Sequence, residues 1–183
     1  MMRRCAYTRR DIINQMRKLW MQHVYRTRFF IISTLAELGD LEYVTNWLME
    51  NPGDFAQVLV CFYGEKNANE FQRLLTEHLQ IGGALVNAAK EGAASKADAL
   101  REEWYDNADD IAMFLARINP NWSGQMWRDM LYSHLSMTEQ EVGYRLNKQY
   151  PEDIQIFDSI EQEALEMGDY MAQGIIRQSC CNR

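Results

Sequence analysis

The sequence lacks the residues that mark several specialised protein classes. It has only three prolines, and no linker-like or low-complexity stretch divides it. Its four cysteines include no CxxC pair, and two of them are adjacent near the C-terminus. We therefore expect one globular domain over 1–183, with 1–7 and 179–183 frayed at its ends, and no disulfide framework, as is usual in a reducing compartment.

Long apolar runs are also missing. Runs such as FFII are far too short to cross a bilayer. The basic residues near the N-terminus are not followed by the apolar stretch that a signal peptide needs. These absences predict a soluble, cytoplasmic protein without a transmembrane segment.

The motifs of common enzyme classes do not occur. There is no G-x-x-x-x-G-K-[ST] loop, no G-x-G-x-x-G fingerprint, no nucleophile elbow and no Cys–His arrangement for catalysis. The acidic stretch DNADD lacks the glycine of a calcium-binding loop. The sequence therefore favours a protein that binds rather than catalyses, although it does not decide the point.

What the sequence does contain is helical periodicity. Apolar residues recur at spacings of three and four, and no run alternates as a strand would. We predict an all-α, up-down bundle of about five long helices plus two short ones. The predicted boundaries are a first helix over about 8–37, a short helix from Leu41, a helix capped by Asn51 and ended by Gly64, and long helices from about Asn67 to Lys90, from Ser95 to Asn119, after Ser123 and after Tyr150.

Positive charge is concentrated at the start of the chain. The first 28 residues carry a net charge of +7 and the rest of the chain −14. One interpretation is that the basic first helix docks an acidic partner or a second copy of the chain. The other, which the acidic total favours, is a basic helix lying on an acidic bundle, and it makes nucleic acid an improbable partner.

The three histidines occupy equivalent places in their helices. His23, His78 and His134 each lie on an apolar stripe, and each is followed four residues later by a small residue. Those small residues are Thr27, Gly82 and Thr138. We therefore expect all three imidazoles to face the core.

Helical rise predicts which of these residues share a level. If the helices that meet near residue 93 are antiparallel, His78 and Asn107 lie at the same height along the bundle axis. The helix after the next turn reaches that height again at about His134. On the last helix, the same height falls near Leu165, and Glu161 lies one helical turn from that residue. Glu161 is therefore the best sequence candidate for a buried carboxylate in the same layer.

Three interpretations of this layer remain open. The histidines could be ordinary core residues, hydrogen-bonded to Asn107, Glu161, Thr27 or Thr138. They could form a transition-metal site for zinc, iron or copper, with ligands His23, His78, His134 and Glu161. They could instead line a small-molecule pocket, for which the small residues one turn on would leave room. The spacings of known bundle sites, such as Glu-x-x-His, are absent.

Four segments carry a resemblance to a known family. QHVYRTRFFIIS, ENPGDFAQVL, WYDNADDIAMFLARINPNWS and EALEMGDYMAQGIIRQ are together similar to an uncharacterised family of small all-helical proteins from spore-forming bacteria. The resemblance covers about 19–178 and implies a helical fold without a function. Some members carry acetylglutamate kinase or glycosyltransferase labels, which this sequence does not support. The family pattern has an acidic residue two before the first histidine, where this chain has Met21.

These observations lead to one functional expectation and one alternative. We expect a soluble, non-enzymatic binding protein whose buried histidine cluster holds a metal ion or small ligand. The alternative is a structural or interaction module that uses its basic first helix.

Overall fold

The computed structural model describes residues 7–181, and within them all regular structure is helical. This confirms the all-α class. The helices are α1 Arg9–Leu35, α2 Leu41–Lys90, α3 Ala94–Ile118, α4 Gly124–Leu146 and α5 Tyr150–Cys181. The two separate short helices that we expected do not occur among the described residues.

Side-chain caps start two of the helices. The Thr8 hydroxyl accepts a bond from the Asp11 amide while the Asp11 carboxylate accepts one from the Thr8 amide, which is a capping box at the start of α1. Ser123 caps α4 as predicted, accepting a bond from the Met126 amide. The predicted cap of α3 at Ser95 is wrong, because α3 already begins at Ala94.

Helix α2 differs most from the expectation. The chain passes through Asn51 and Pro52 without a break, so the predicted helix start there is wrong. Local signals misled the prediction because Asn-Pro resembles a helix start. The side chain of Asn51 instead leaves α2 and bonds to α1, and the Arg26 guanidinium donates to the Trp47 carbonyl in the turn before the proline.

The predicted break at Gly64 is present and reverses the chain. Gly64 has φ 74° and ψ 168°, a backbone conformation open essentially to glycine alone. In a straight helix, Phe55 and Phe71 would lie about 24 Å apart. Their rings lie 5.5 Å apart instead. Helix α2 is therefore a hairpin of two segments, 41–63 and 65–90.

The helices close into a ring. Each helix packs against the next along the chain, and α5 returns to pack against α1 and α4. The core inside this ring includes Trp20, Trp104 and Trp127, all at most 5% exposed, as their helical spacing predicted. Because successive helices are joined by short turns, α1, the second segment of α2, and α4 run in one direction, and α3 and α5 run in the other.

The cysteines depart in part from the expectation, and the fraying of the chain ends stays a prediction. The predicted frayed ends fall partly outside the described residues, since 1–6 and 182–183 are not described, and α5 runs to Cys181. The prediction of a chain without disulfides is wrong at Cys61, which is disulfide-bonded. Sequence spacing does not tell which distant cysteines come within bonding distance. A reducing compartment therefore no longer follows from the cysteines.

Within residues 7–181, no helix combines the length and the apolar character of a membrane span.

Candidate metal centre

Three different helices bring the histidines to one place. His23 lies on α1, His78 on the second segment of α2, and His134 on α4, and each is at most 3% exposed. The centres of their rings lie 5.6 to 6.5 Å apart. The predicted core orientation of all three is confirmed.

The histidines converge closely enough to share an ion. Each offers one nitrogen, and the three nitrogens all lie within 4.8 Å of one another. Three nitrogens at that spacing have a common centre about 2.8 Å from each of them. Zinc–nitrogen bonds are about 2.0–2.1 Å long, so each ring would have to move toward that centre by less than 1 Å. No other group of three potential ligands occurs among the residues that the structure describes.

An asparagine orients the ring of His23. Asn51 donates its amide N–H to the Leu19 carbonyl, at 3.1 Å, so its Oδ1 is the atom turned toward His23. The His23 Nδ1 lies 3.1 Å from that oxygen and must donate to it. The Nε2 of His23 therefore carries a free lone pair.

A second asparagine does the same for His78. Asn107 donates its Nδ2 to the Leu74 carbonyl at 3.2 Å, and its Oδ1 lies 2.9 Å from the His78 Nδ1. This contact confirms that His78 and Asn107 share a level in the bundle. The indole of Trp104 also donates to the His78 carbonyl, at 3.0 Å, and packs its ring 5.2 Å from the imidazole.

A carboxylate faces the third ring. The Glu163 Oε2 lies 3.9 Å from the His134 Nδ1 and is buried without a hydrogen-bond partner. Burial raises the pKa of Glu163 to about 7, although a hydrogen bond from Ser133 lowers it in part. In His134, as in the other two histidines, Nδ1 faces a polar side chain and Nε2 is left for the centre.

Glu161 occupies a different position from the one predicted. Its Oε1 accepts a bond from the Tyr25 hydroxyl at 3.1 Å, and it lies outside the group of converging ligands. Helix α5 packs between α1 and α4, so residues two apart on it face different neighbours. Glu161 faces α1, and Glu163 faces His134. The most buried carboxylates are Glu141 and Asp153, which are 2% and 0% exposed.

All three histidines are neutral at pH 7. Burial lowers the pKa of His23 to about 4 and that of His78 to about 3, and it holds the pKa of His134 well below its ordinary value. Neutral imidazole is the form that binds metal ions, so protons do not compete for this site near neutral pH.

A cavity of about 220 Å³ adjoins the histidines. Thr27, Gly82 and Thr138, the small residues one turn beyond each histidine, all line it, as the pocket interpretation expected. The two threonine hydroxyls do not bond to the rings, because they donate to the carbonyls of His23 and His134 at 2.8 Å. The remaining lining residues are mostly apolar: Phe30, Leu48, Leu79, Gly83, Leu85, Val86, Ala89, Ala97, Arg101, Trp104, Glu139, Val142, Gly143 and Leu146.

Three of the six basic residues of α1 form ion pairs with acidic residues of neighbouring helices. Arg17 pairs with Asp169 on α5, Arg26 with Asp54 on α2, and Arg28 with Glu141 on α4 and Asp153 on α5. These contacts fit a basic helix lying on an acidic bundle. Arg3 and Arg4 lie outside the described residues, and docking of an acidic partner or a second copy stays a prediction.

Comparisons with protein-family models, with curated proteins and with solved structures found no match. The resemblance to helical proteins of spore-forming bacteria therefore stays a prediction.

Sequence reasoning missed two residues of the site, Asn51 and Glu163. Asn51 was assigned a local role as a helix cap. Glu163 is two residues from the predicted Glu161, and only its burial and its unpartnered Oε2 distinguish it. The signal that could have found Asn51 is its place beside Pro52, where an asparagine that does not cap a helix needs another partner.

Proposed function

We propose that this protein binds one divalent transition-metal ion through the Nε2 atoms of His23, His78 and His134, with zinc as the ion that fits best. Asn51 and Asn107 hold two of the rings from behind through hydrogen bonds at Nδ1, and Glu163 faces the Nδ1 of His134 at 3.9 Å. Partners of this kind fix the tautomer and the orientation of histidine ligands in metal sites generally.

The observation that supports the proposal is the convergence of three buried imidazoles, two of which have their protons directed away from the centre. The hydrogen bonds of Asn51 and Asn107 place the Nδ1 protons away from the centre. Buried lone pairs that face one another are unfavourable unless something positive lies between them. A metal ion removes that cost, and the third imidazole, which no hydrogen bond fixes, can turn its lone pair toward the same ion.

The donor set favours zinc over iron. Three neutral imidazoles with an open fourth position are a common zinc arrangement. Iron sites of comparable openness usually include a carboxylate ligand, and Glu163 faces Nδ1 rather than the centre. Copper also accepts imidazole ligands, so the experiment must identify the ion.

Metal analysis of protein purified without a histidine tag tests the proposal. We expect about one zinc ion per chain after zinc loading and dialysis, and almost none in the His78→Gln/His134→Gln double variant. Glu161→Gln is the matched control and should keep the ion, because Glu161 bonds to Tyr25 outside the cluster. A wild-type protein that takes up no more metal than the double variant would refute the proposal.

A further inference from the structure

The cavity beside the histidines is long and narrow. Its lining residues on α2 run from His78 to Ala89, which is about 16 Å along the helix axis, and those on α4 run from His134 to Leu146. The lining helices leave the histidine layer toward the same end of the bundle, where α2 turns into α3. The cavity is therefore a channel that leads from the histidines to that end.

Few polar groups line this channel beyond the histidines. Along its length the walls are side chains such as Phe30, Val86 and Trp104. The hydroxyls of the two lining threonines already donate to backbone carbonyls. About half-way along the channel lie Arg101 and Glu139, joined by a hydrogen bond of 2.6 Å and partly exposed, with side chains 42% and 23% accessible.

Size and shape restrict the occupant. A dry cavity of about 150 Å³ holds benzene, which has six heavy atoms, so by proportion the 220 Å³ here suits a molecule of about nine or ten non-hydrogen atoms. A channel with such a length favours an unbranched chain over a compact ring system. The occupant should carry one polar head and an apolar tail.

The head is expected at the histidine end. Arg101 already bonds to two carboxylates, those of Glu139 and Asp98, and has little capacity left for a third. An ion on the histidines would have an open coordination position and a positive charge in a buried, weakly screened environment. An anionic head group is therefore attracted to the inner end.

We propose that the channel binds an unbranched aliphatic carboxylate of about eight carbons, with its carboxylate on the histidine-bound ion and its tail along the apolar walls. The inference rests on the proposed metal-binding function, because the ion provides the partner for the head group.

Calorimetric titration of octanoate into zinc-loaded and zinc-free protein tests the head-group contact. We expect at least tenfold tighter binding to the zinc-loaded form. In cobalt-loaded protein, octanoate should change the visible absorption bands of the ion, because it enters the coordination sphere. Binding should strengthen about fourfold per added methylene from butyrate to octanoate. Equal affinity with and without zinc, or equal affinity for octanoate and octanol, would overturn the inference.

Gly143 offers a way to block the channel. It lines the channel on α4, and a Cβ built on it meets nothing within 4 Å. Gly143→Leu should weaken octanoate binding at least tenfold and leave zinc affinity unchanged. Gln140→Leu adds the same side chain to an exposed position of α4 and should leave both unchanged. If Gly143→Leu binds octanoate as the wild type does, the ligand does not occupy this channel.

The two proposals fail in distinguishable ways. Zinc binding with no response to octanoate overturns the carboxylate assignment alone. A protein that binds no metal overturns the metal-binding function, and the carboxylate assignment falls with it even if octanoate binds.

Discussion

Replacing Asn107 by leucine tests the role of the side chain behind His78. Leucine has the same number and branching of side-chain non-hydrogen atoms, so the substitution leaves no cavity, but it removes both hydrogen bonds of the amide. The buried Nδ1–H of His78 then has no acceptor in place of the oxygen that lay 2.9 Å away. An unsatisfied buried donor costs about 1–3 kcal/mol, so the free energy of unfolding of the metal-free protein should fall by that amount.

The same substitution should weaken metal binding by a separate route. Without Asn107, the His78 ring can rotate, or it can carry its proton on Nε2. A proton on Nε2 would prevent that atom from binding the ion. Loss of such a partner typically costs about 10- to 100-fold in metal affinity, or about 1.4–2.7 kcal/mol. Competition titration with a chelating dye measures this directly, and urea unfolding in the presence of a chelator measures the first effect.

Asn87→Leu is the matched control for both measurements. Asn87 lies on the same helix, is exposed, and its side chain donates only to the Gly83 carbonyl. It should change stability by no more than about 0.5 kcal/mol. If Asn107→Leu unfolds at the same urea concentration as Asn87→Leu and binds zinc with the same affinity, the assigned tautomer of His78 is wrong.

Two further predictions concern stability. A Cβ at Gly168 would lie 2.9 Å from the Cα of Arg17, in the backbone of α1, so Gly168→Ala should destabilise the protein by about 1–3 kcal/mol in urea unfolding. Gly143→Ala, which meets nothing, should stabilise it by up to about 1 kcal/mol, and the reverse order would contradict the close approach of α5 to α1 at Gly168. Burial raises the pKa of Glu141 to about 7, against the opposing effect of Arg28. Protonation of Glu141 therefore stabilises the folded state. This stabilisation is complete below about pH 4.5 and is lost as the pH rises through 7. Relative to Glu141→Gln, the free energy of unfolding of the wild type should fall by about 3 kcal/mol between pH 4.5 and pH 8. A stability difference between the two proteins that does not change with pH would refute this.

Much of the bundle could be predicted because helical periodicity is a local property. The break at Gly64 and the cap at Ser123 were found from residues within a few positions of each other. The level shared by His78 and Asn107 followed from the fixed rise per residue and one antiparallel turn. Such inferences hold wherever short turns force successive helices to run antiparallel.

The rest depended on how helices rotate against each other. The rise places Glu161 and Glu163 within about 3 Å of the same level, and only the orientation of α5 between α1 and α4 decides which carboxylate faces His134. The role of Asn51 required knowing that α2 folds back beside α1. Neither fact is encoded in a window of neighbouring residues.

The reversal at Gly64 has a consequence for how two chains could exchange parts. If this one residue became helical, the 50 residues of α2 would form a straight rod about 75 Å long. Its second half would then leave its own bundle and could complete that of another chain, which is domain swapping. Gly64→Ala favours that outcome, because alanine is the best helix former and disfavours a φ of 74°. The conformation of one glycine therefore keeps both segments of α2 in the same bundle.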